Sequence, residues 1–255
     1  MSTTPAAVGD DRLRPLSAAQ AARYVHHRAL AHVGQGGQER LAAAKVLVVG
    51  LGGLGSPVAL YLVAAGVGTV GLADPDVVVD SNLQRQVVHT TGEVGRPKVD
   101  SAAAHLAALN PMVETVRHPA GLTVDNASRL VAGYDVVVDC TDTFDARYLI
   151  NDVCLDLATP WVHGAVDGVD GEVSVFVPGS GPCYRCLHRA ATPREPQGVL
   201  GPLPGIVGAI AATETLKLVL GAPSLVGRVL LVDAWAMSFD EVALTQDPTC
   251  PACAP

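Results

Sequence analysis

Positive charge is scarce in this 255-residue chain: 17 lysines and arginines stand against 25 acidic side chains, a formal net charge of -8 at neutral pH. General charge attraction to nucleic acid is therefore disfavoured, and only a local basic patch would serve such a partner. Charged residues are also few overall, at 16% against 49% hydrophobic, which excludes a disordered chain and argues for an ordered globular protein with a real core. Charge is missing altogether between Val46 and Ala73. Hydropathy alone would read a membrane span there, but seven glycines and Pro57 cut the stretch into shorter elements and exclude it. The opening MSTTPAAVGDDRLRP lacks the apolar core of a signal peptide. The expectation is a soluble, cytoplasmic protein with no membrane partner, residues 1–16 being a poorly ordered tail and 17–255 a single domain. No internal repeat is present.

What the uncharged stretch does contain is KVLVVGLGGLGSPVALYLVAAGVGTVGLADPD, from Lys45 to Asp76. It reads as strand, glycine-rich turn, helix, strand and an acidic end. Gly50, Gly52 and Gly55 fall in the G-x-G-x-x-G register with Gly53 as an extra glycine, a pattern that lets the chain turn tightly and a phosphate approach the backbone. A helix starting near Ser56 and Pro57 would aim free N–H groups at that anion. Asp74 ends the second strand, where an acidic side chain accepts from ribose hydroxyls. The competing reading is a buried strand-turn-helix without a ligand, and the motif names neither the nucleotide nor the reaction.

Four of the six cysteines form two C-x-x-C pairs, Cys183/Cys186 and Cys250/Cys253, each among prolines or glycines. Four thiolates satisfy a tetrahedral Zn²⁺, so a structural zinc site explains them better than disulfides in a reducing compartment. A redox C-x-x-C or a chance pairing are the alternatives, and ligand count and spacing favour zinc. Cys140 and Cys154 lie in apolar contexts and read as core residues.

In order along the chain, Ser17 to Leu41 has helical spacing that the Gly34–Gly37 region breaks. After Asp76 a long polar connection offers Asn82, Arg85, Gln86 and Lys98 beyond the carboxyl end of a strand, where open α/β sheets place ligand groups. Helix is expected from Arg96 to Leu109 and from Thr123 to Tyr134, with a strand at Val113–His118 between them. A buried strand, Val136–Asp139, leads into Cys140-Thr141-Asp142-Thr143. A carboxylate on that turn either holds Mg²⁺ against a triphosphate or caps the following helix, Phe144–Leu157. Trp161–Ala165 and Glu172–Val177 read as strands, Leu187–Pro204 as a mobile crossing loop, Ile206–Leu220 as a helix, and Arg228–Asp233 and Ser238–Leu244 as closing strands. The fold class is α/β: a Rossmann-like mixed sheet with an N-terminal parallel βα half, a β-rich C-terminal half and a tetra-cysteine zinc site.

GLGGLGSP, LADPD, SNLQRQ, GRPK, DCTD, CYRC and CPAC, in this order, resemble the ubiquitin-activating-enzyme-like adenylyltransferases of the ThiF/MoeB type over roughly residues 20 to 253. The resemblance implies Mg·ATP over the glycine turn, with Gly50, Gly52, Gly53, Gly55, Asp74, Asp76, Asn82, Arg85, Gln86, Lys98 and Asp142 around it. Arg85, Lys98 and Asp142 would carry the chemistry, with Asp142 linked to magnesium. It further implies a homodimer and, as partner, a ubiquitin-like sulfur-carrier protein. The carrier's C-terminal Gly-Gly carboxylate would attack the α-phosphate and expel pyrophosphate, and a separate protein would donate sulfur.

The chain departs from the family pattern at three places. His26, in Arg23-Tyr24-Val25-His26-His27, stands where relatives carry an arginine that reaches ATP on the other subunit, a contact that is weakened, absent or supplied by Arg28. Arg194 falls where many relatives have a crossing-loop cysteine, and no cysteine occurs between Cys186 and Cys250, so a covalent thioester step is not expected. Thr143 replaces a common asparagine. Three other functions are weighed: adenylation of a peptide or small carboxylic acid, an NAD-dependent oxidoreductase, and a non-catalytic nucleotide-binding scaffold. The first is motivated by His26 and Arg194. The second fits the glycine turn but gives Arg85, Lys98 and Asp142 no purpose.

Overall fold

The computed structural model of the chain describes residues 7–190 and 198–254. Eight strands form one sheet: β1 (Lys45–Val49), β2 (Thr69–Ala73), β3 (Glu114–His118), β4 (Val136–Asp139), β5 (Trp161–Asp167), β6 (Asp170–Phe176), β7 (Arg228–Asp233) and β8 (Ser238–Ala243). Their spatial order is β3-β2-β1-β4-β5-β6-β7-β8. The first five run parallel and the remainder pair antiparallel. The expected mixed sheet, parallel then β-rich, is what forms.

Nine α-helices and three short 3₁₀ turns accompany the sheet among the described residues, the α-helices being α1 (Ala18–Arg23), α2 (Val25–Ala29), α3 (Gly34–Ala43), α4 (Gly55–Ala65), α5 (Lys98–Leu109), α6 (Ala127–Val131), α7 (Phe144–Asp156), α8 (Tyr184–Leu187) and α9 (Pro202–Leu220). Both faces of the central strands are covered, which explains why β1, β2 and β4 are continuous apolar runs rather than alternating ones. Val46 and Val48 of β1 enter one core cluster, together with Val58 and Leu62 of α4 and Val207 and Leu218 of α9. Leu47 and Val49 enter the other, with Ile150 of α7 and Trp161.

Several elements differ from expectation. Gly34 starts α3 instead of breaking it, at φ 62°, and a side chain on Gly37 would collide with Leu220. The chain breaks at Tyr24 and Leu30 instead. Helix between residues 123 and 134 shrinks to Ala127–Val131, because the Asn126 side chain accepts the Thr123 N–H at 2.9 Å and holds the entry as a turn. The last helix starts at Pro202, since proline in a first turn loses no hydrogen bond. Within the segment expected to be a tail, Val8 is buried and Arg12 pairs with Asp135. Of the crossing loop, residues 191–197 lie outside the described residues; past them Val199 bridges to Gly168.

The α9 helix is long and apolar enough by composition to cross a membrane, yet 56% of that window is buried inside the protein against α4, β5 and β6. Its contact with α4 runs through Gly208, where a Cβ would lie 2.5 Å from Pro57 and 2.8 Å from the Leu54 carbonyl. Gly208→Ala gains about 1 kcal/mol of helix propensity but overpacks this contact at a cost of about 1–3 kcal/mol. The backbone carbonyl has no rotamer to escape into, so the clash should win. Urea unfolding is expected to show a net loss of up to about 2 kcal/mol; a variant more stable than the parent would show that the two helices separate freely.

Candidate functional site

The strand register brings three turns to one level. Val49 pairs with Ala73 on one side and Asp139 on the other, so Gly50, Asp74 and Cys140 leave the sheet together. This is also where the strand order reverses, between β1 and β4, the crevice in which open α/β sheets bind ligands.

The glycines differ in what requires them. Gly50 has φ 92°, and a Cβ there would lie 2.6 Å from the Cys140 carbonyl. At Gly55 the Cβ would lie 1.9 Å from the Gly50 carbonyl. Both are imposed by the fold itself. Gly52 and Gly53 are not; a side chain at Gly52 would meet the Gln86 amide, and one at Gly53 would meet Pro204 and Arg85. They leave backbone open beside the very groups the sequence singles out.

Asp74 is buried. Its carboxylate accepts the Leu51 N–H at 2.6 Å from the glycine turn and the Asp76 N–H at 2.8 Å. Lys98, the first residue of α5 and buried, donates to Asp76 at 2.9 Å and sits 4.0 Å from Asp74. Arg85 donates to Asn82 at 3.0 Å and keeps the rest of its guanidinium available. Gln86 is buried, and its Oε1 has no hydrogen-bond partner among the described residues.

Across the crevice, Asp139 accepts the Thr141 N–H and hydroxyl, and Arg147 donates to the Thr141 carbonyl. Thr143 caps α7 by accepting from Ala146 at 3.3 Å, which leaves Asp142 exposed and free of the capping role. His26 is exposed, while Arg28 is tied to Gln35 and the Ala21 carbonyl of its own segment. Arg194 lies outside the described residues. A cavity of 550 Å³ lined by Glu114, His118, Arg129 and Tyr134 holds none of the named groups.

The four cysteines do come together. Cys183 Sγ lies 3.6 Å from Cys250 Sγ and Cys186 Sγ 3.5 Å from Cys253 Sγ, all four within 4.8 Å of one another. Zinc–thiolate bonds of about 2.3 Å in a tetrahedron put sulfurs about 3.8 Å apart, so the cluster could hold a zinc ion. Asn151 accepts the Tyr184 N–H and Asp152 grips Arg185, fixing the first knuckle to α7. Cys140 and Cys154 are buried and burial pushes their pKa values up, so both remain thiols.

Sequence reasoning missed His89 and Arg147. His89 bridges the glycine turn and α5, reaching the Leu51 carbonyl at 3.0 Å and Ser101 at 2.7 Å. Nothing marks it in VVHTT, because its role depends on a contact between residues 38 apart.

A glycine-turned parallel half closed by antiparallel strands defines a Rossmann-like α/β protein. The chain belongs to the ThiF family, whose sequence profile matches residues 24–252. It is similar to the SAMP-activating enzyme E1 of Haloferax volcanii, 48% identical over 93% of this chain and 90% of that one. It is 46% identical to the sulfur carrier protein adenylyltransferase of Thermus thermophilus, over 91% of this chain and 90% of that one. The adenylyltransferase and sulfurtransferase MOCS3 of Mus musculus is 45% identical over 93% of this chain but only 54% of its own length. Among solved structures, E. coli MccB with MccA-N7isoASN superposes with a TM-score of 0.82 over 94% of this chain and 76% of that one. At 20% identity that likeness speaks to the fold.

Burial lowers the His89 pKa below the ordinary histidine value. The unfolded chain then takes up the proton first, so this contribution is intact above about pH 6.5 and is lost as the pH falls from there toward the folded-state value. Melting temperature between pH 7.5 and 5 is expected to fall more steeply for the parent than for His89→Gln, which cannot be protonated. Equal slopes would place the acid sensitivity elsewhere.

Proposed function

We propose that the chain is an ATP-dependent adenylyltransferase that activates the C-terminal Gly-Gly carboxylate of a ubiquitin-like sulfur-carrier protein. The observation that carries this is the convergence of the glycine turn, Arg85, the Asp74–Lys98–Asp76 group and the Asp142 turn at the β1/β4 reversal. The two relatives that this chain nearly spans are named for SAMP activation and sulfur-carrier adenylylation, and they supply the substrate class. An MccB-like fold at 20% identity lends no weight to a peptide substrate.

The residues fit ATP. Each Asp74 oxygen accepts one main-chain N–H and retains a second lone pair for a ribose hydroxyl. The Gln86 amide nitrogen lies beside Gly52, a donor placed next to the open backbone of the glycine turn. Arg85 and Lys98 are the cations for the phosphates, and Asn82 orients Arg85. Magnesium, when bound, offsets charge on the phosphate oxygens, and Asp142 is the carboxylate that would hold it.

In the reaction a carboxylate oxygen bonds to the α-phosphorus as the bond to pyrophosphate breaks, giving acyl-AMP. The nucleophile is already ionised, so no general base is needed and the chain's work is alignment and charge neutralisation. No cysteine lies between Cys186 and Cys250, so the reaction stops at the acyl-adenylate and a separate donor brings sulfur. Cys183, Cys186, Cys250 and Cys253 would hold a structural zinc ion. We read the enzyme as a cytoplasmic homodimer whose exposed Val25 and Leu30 meet the second subunit. The exposed Trp235, Met237 and Phe239 of the edge hairpin offer the carrier an apolar surface.

ATP–pyrophosphate exchange with a Gly-Gly-ending carrier is expected for the parent. It should fall about 100- to 1,000-fold in Arg85→Ala and Asp142→Ala, the scale of losing one charge-stabilising contact. Undiminished exchange in either variant removes that residue from its role. Mg·ATP should raise the melting temperature where NAD does not; the reverse result would return the site to a dehydrogenase.

A further inference from the structure

β5, β6 and the segment after α8 bring together three side chains that adenylation leaves unused. Glu172 Oε1 lies 3.0 Å from His163 Nε2 and 2.9 Å from His188 Nε2, and the three ligand atoms lie within 4.8 Å of one another. On the far side of the His163 ring, Nδ1 lies 2.8 Å from Asp139 Oδ2. We propose that His163, Glu172 and His188 form a second metal site, for a first-row divalent ion of the Zn²⁺ class, separate from the four cysteines.

Two imidazole nitrogens and one carboxylate oxygen are donors that suit such an ion. Bonds of about 2.0–2.1 Å in a tetrahedron separate donor atoms by about 3.3 Å, so the two contacts to Glu172 need to widen by only a few tenths of an ångström. Asp139 supplies the outer partner that metal-bound histidines characteristically have: it accepts a hydrogen bond from Nδ1–H, which leaves the Nε2 lone pair for the ion.

The competing description is a chain of hydrogen bonds alone. Both His163 nitrogens face carboxylates, so that description places an imidazolium between two counter-charges, or a protonated carboxyl beside a neutral ring, at a fully buried position. An ion in place of the Nε2 proton is held by the neutral ring, and metal content separates the two descriptions.

Access and rigidity agree with a metal site. Glu172 and His188 side chains are 20% and 27% exposed, which opens a path for the ion and a place for water as fourth ligand. Aromatic rings fix the two imidazoles: Tyr184 stands 4.9 Å from each, with Trp161 beside His163 and Phe144 beside His188. They form the dry shell that tunes such a centre.

The test is metal content of the full chain, stripped, reloaded with excess Zn²⁺ or Co²⁺ and passed over a weak chelator. The parent is expected to hold about two equivalents, and His188→Ala and Glu172→Gln about one. In the Co²⁺ form of both variants, the near-ultraviolet thiolate-to-cobalt band of the cysteine cluster should persist at parental intensity. Glu172→Gln sits on β6, away from the cysteine knuckles in sequence, and keeps the test decisive if His188→Ala disturbs Cys186. One equivalent in the parent, or two in Glu172→Gln, would overturn the proposal and leave a histidine–carboxylate hydrogen-bond chain.

Discussion

The buried carboxylate of Asp74 is the constraint on which the site depends. It stands at the end of β2 and accepts N–H groups from the glycine turn after β1 and from its own connection toward α5, with the Lys98 amine 4.0 Å away. A charged group buried this deeply persists only when its lone pairs are met, and here the partners come from separate segments. Fixing Asp74 therefore fixes the entry to α4 relative to the start of α5. His89 adds a second tie between the same two places, through the Leu51 carbonyl and Ser101. The glycines then become intelligible as packing: Gly50 and Gly55 are small because β4 and the turn's own backbone already occupy the space a side chain would need.

A second polar line crosses the sheet at right angles to the strands. Asp139 on β4, His163 on β5, Glu172 on β6 and His188 beyond α8 follow one another at hydrogen-bond distance. The strand register explains the alignment, since Asp139 pairs with His163, and His163 with Ser174 two residues from Glu172. The chain has three phenylalanines, two tryptophans and five tyrosines, and Phe144, Tyr148, Trp161, Phe176 and Tyr184 gather around this line. Half of a scarce resource is spent where polar groups must be kept from water, which is where bulky apolar side chains strengthen electrostatic contacts most.

Local patterns carried much of the fold. Val46–Val49, Val136–Asp139 and the G-x-G-x-x-G run were legible because buried parallel strands and tight turns leave short, strong signals. Four cysteines in two close pairs were legible because tetrahedral thiolate binding demands that number. What stayed hidden depends on distant partners. Thr143 rather than Asp142 caps α7, since the rotamer that reaches Ala146 is decided by the fold, and the Gly34–Gly37 run is helical with Gly37 close against Leu220, a contact the local sequence does not announce. His163 and Glu172 lay inside what read only as two strands, and their meaning arises from register, which a single strand does not reveal.

Lys98 shows how the buried and exposed parts of the site divide their work. Its amine is almost wholly shielded, yet its partner Asp76 has a carboxylate 66% exposed. A buried cation without a counter-charge destabilises the fold, so a partner is built into the chain itself. Asp76 meets that need at little cost, because on release it returns to water rather than to a dry pocket. Asp74, buried on the other side and committed to two main-chain donors, stays behind as the fixed counter-charge. In the proposed reaction, a phosphate entering the crevice would exchange with a solvated carboxylate while the Lys98 amine stays positioned. The same logic leaves Asp142 outside the capping bond and Arg85 on a single side-chain acceptor among the described residues: the groups proposed to meet the substrate are lightly held, and the groups that define the crevice are not.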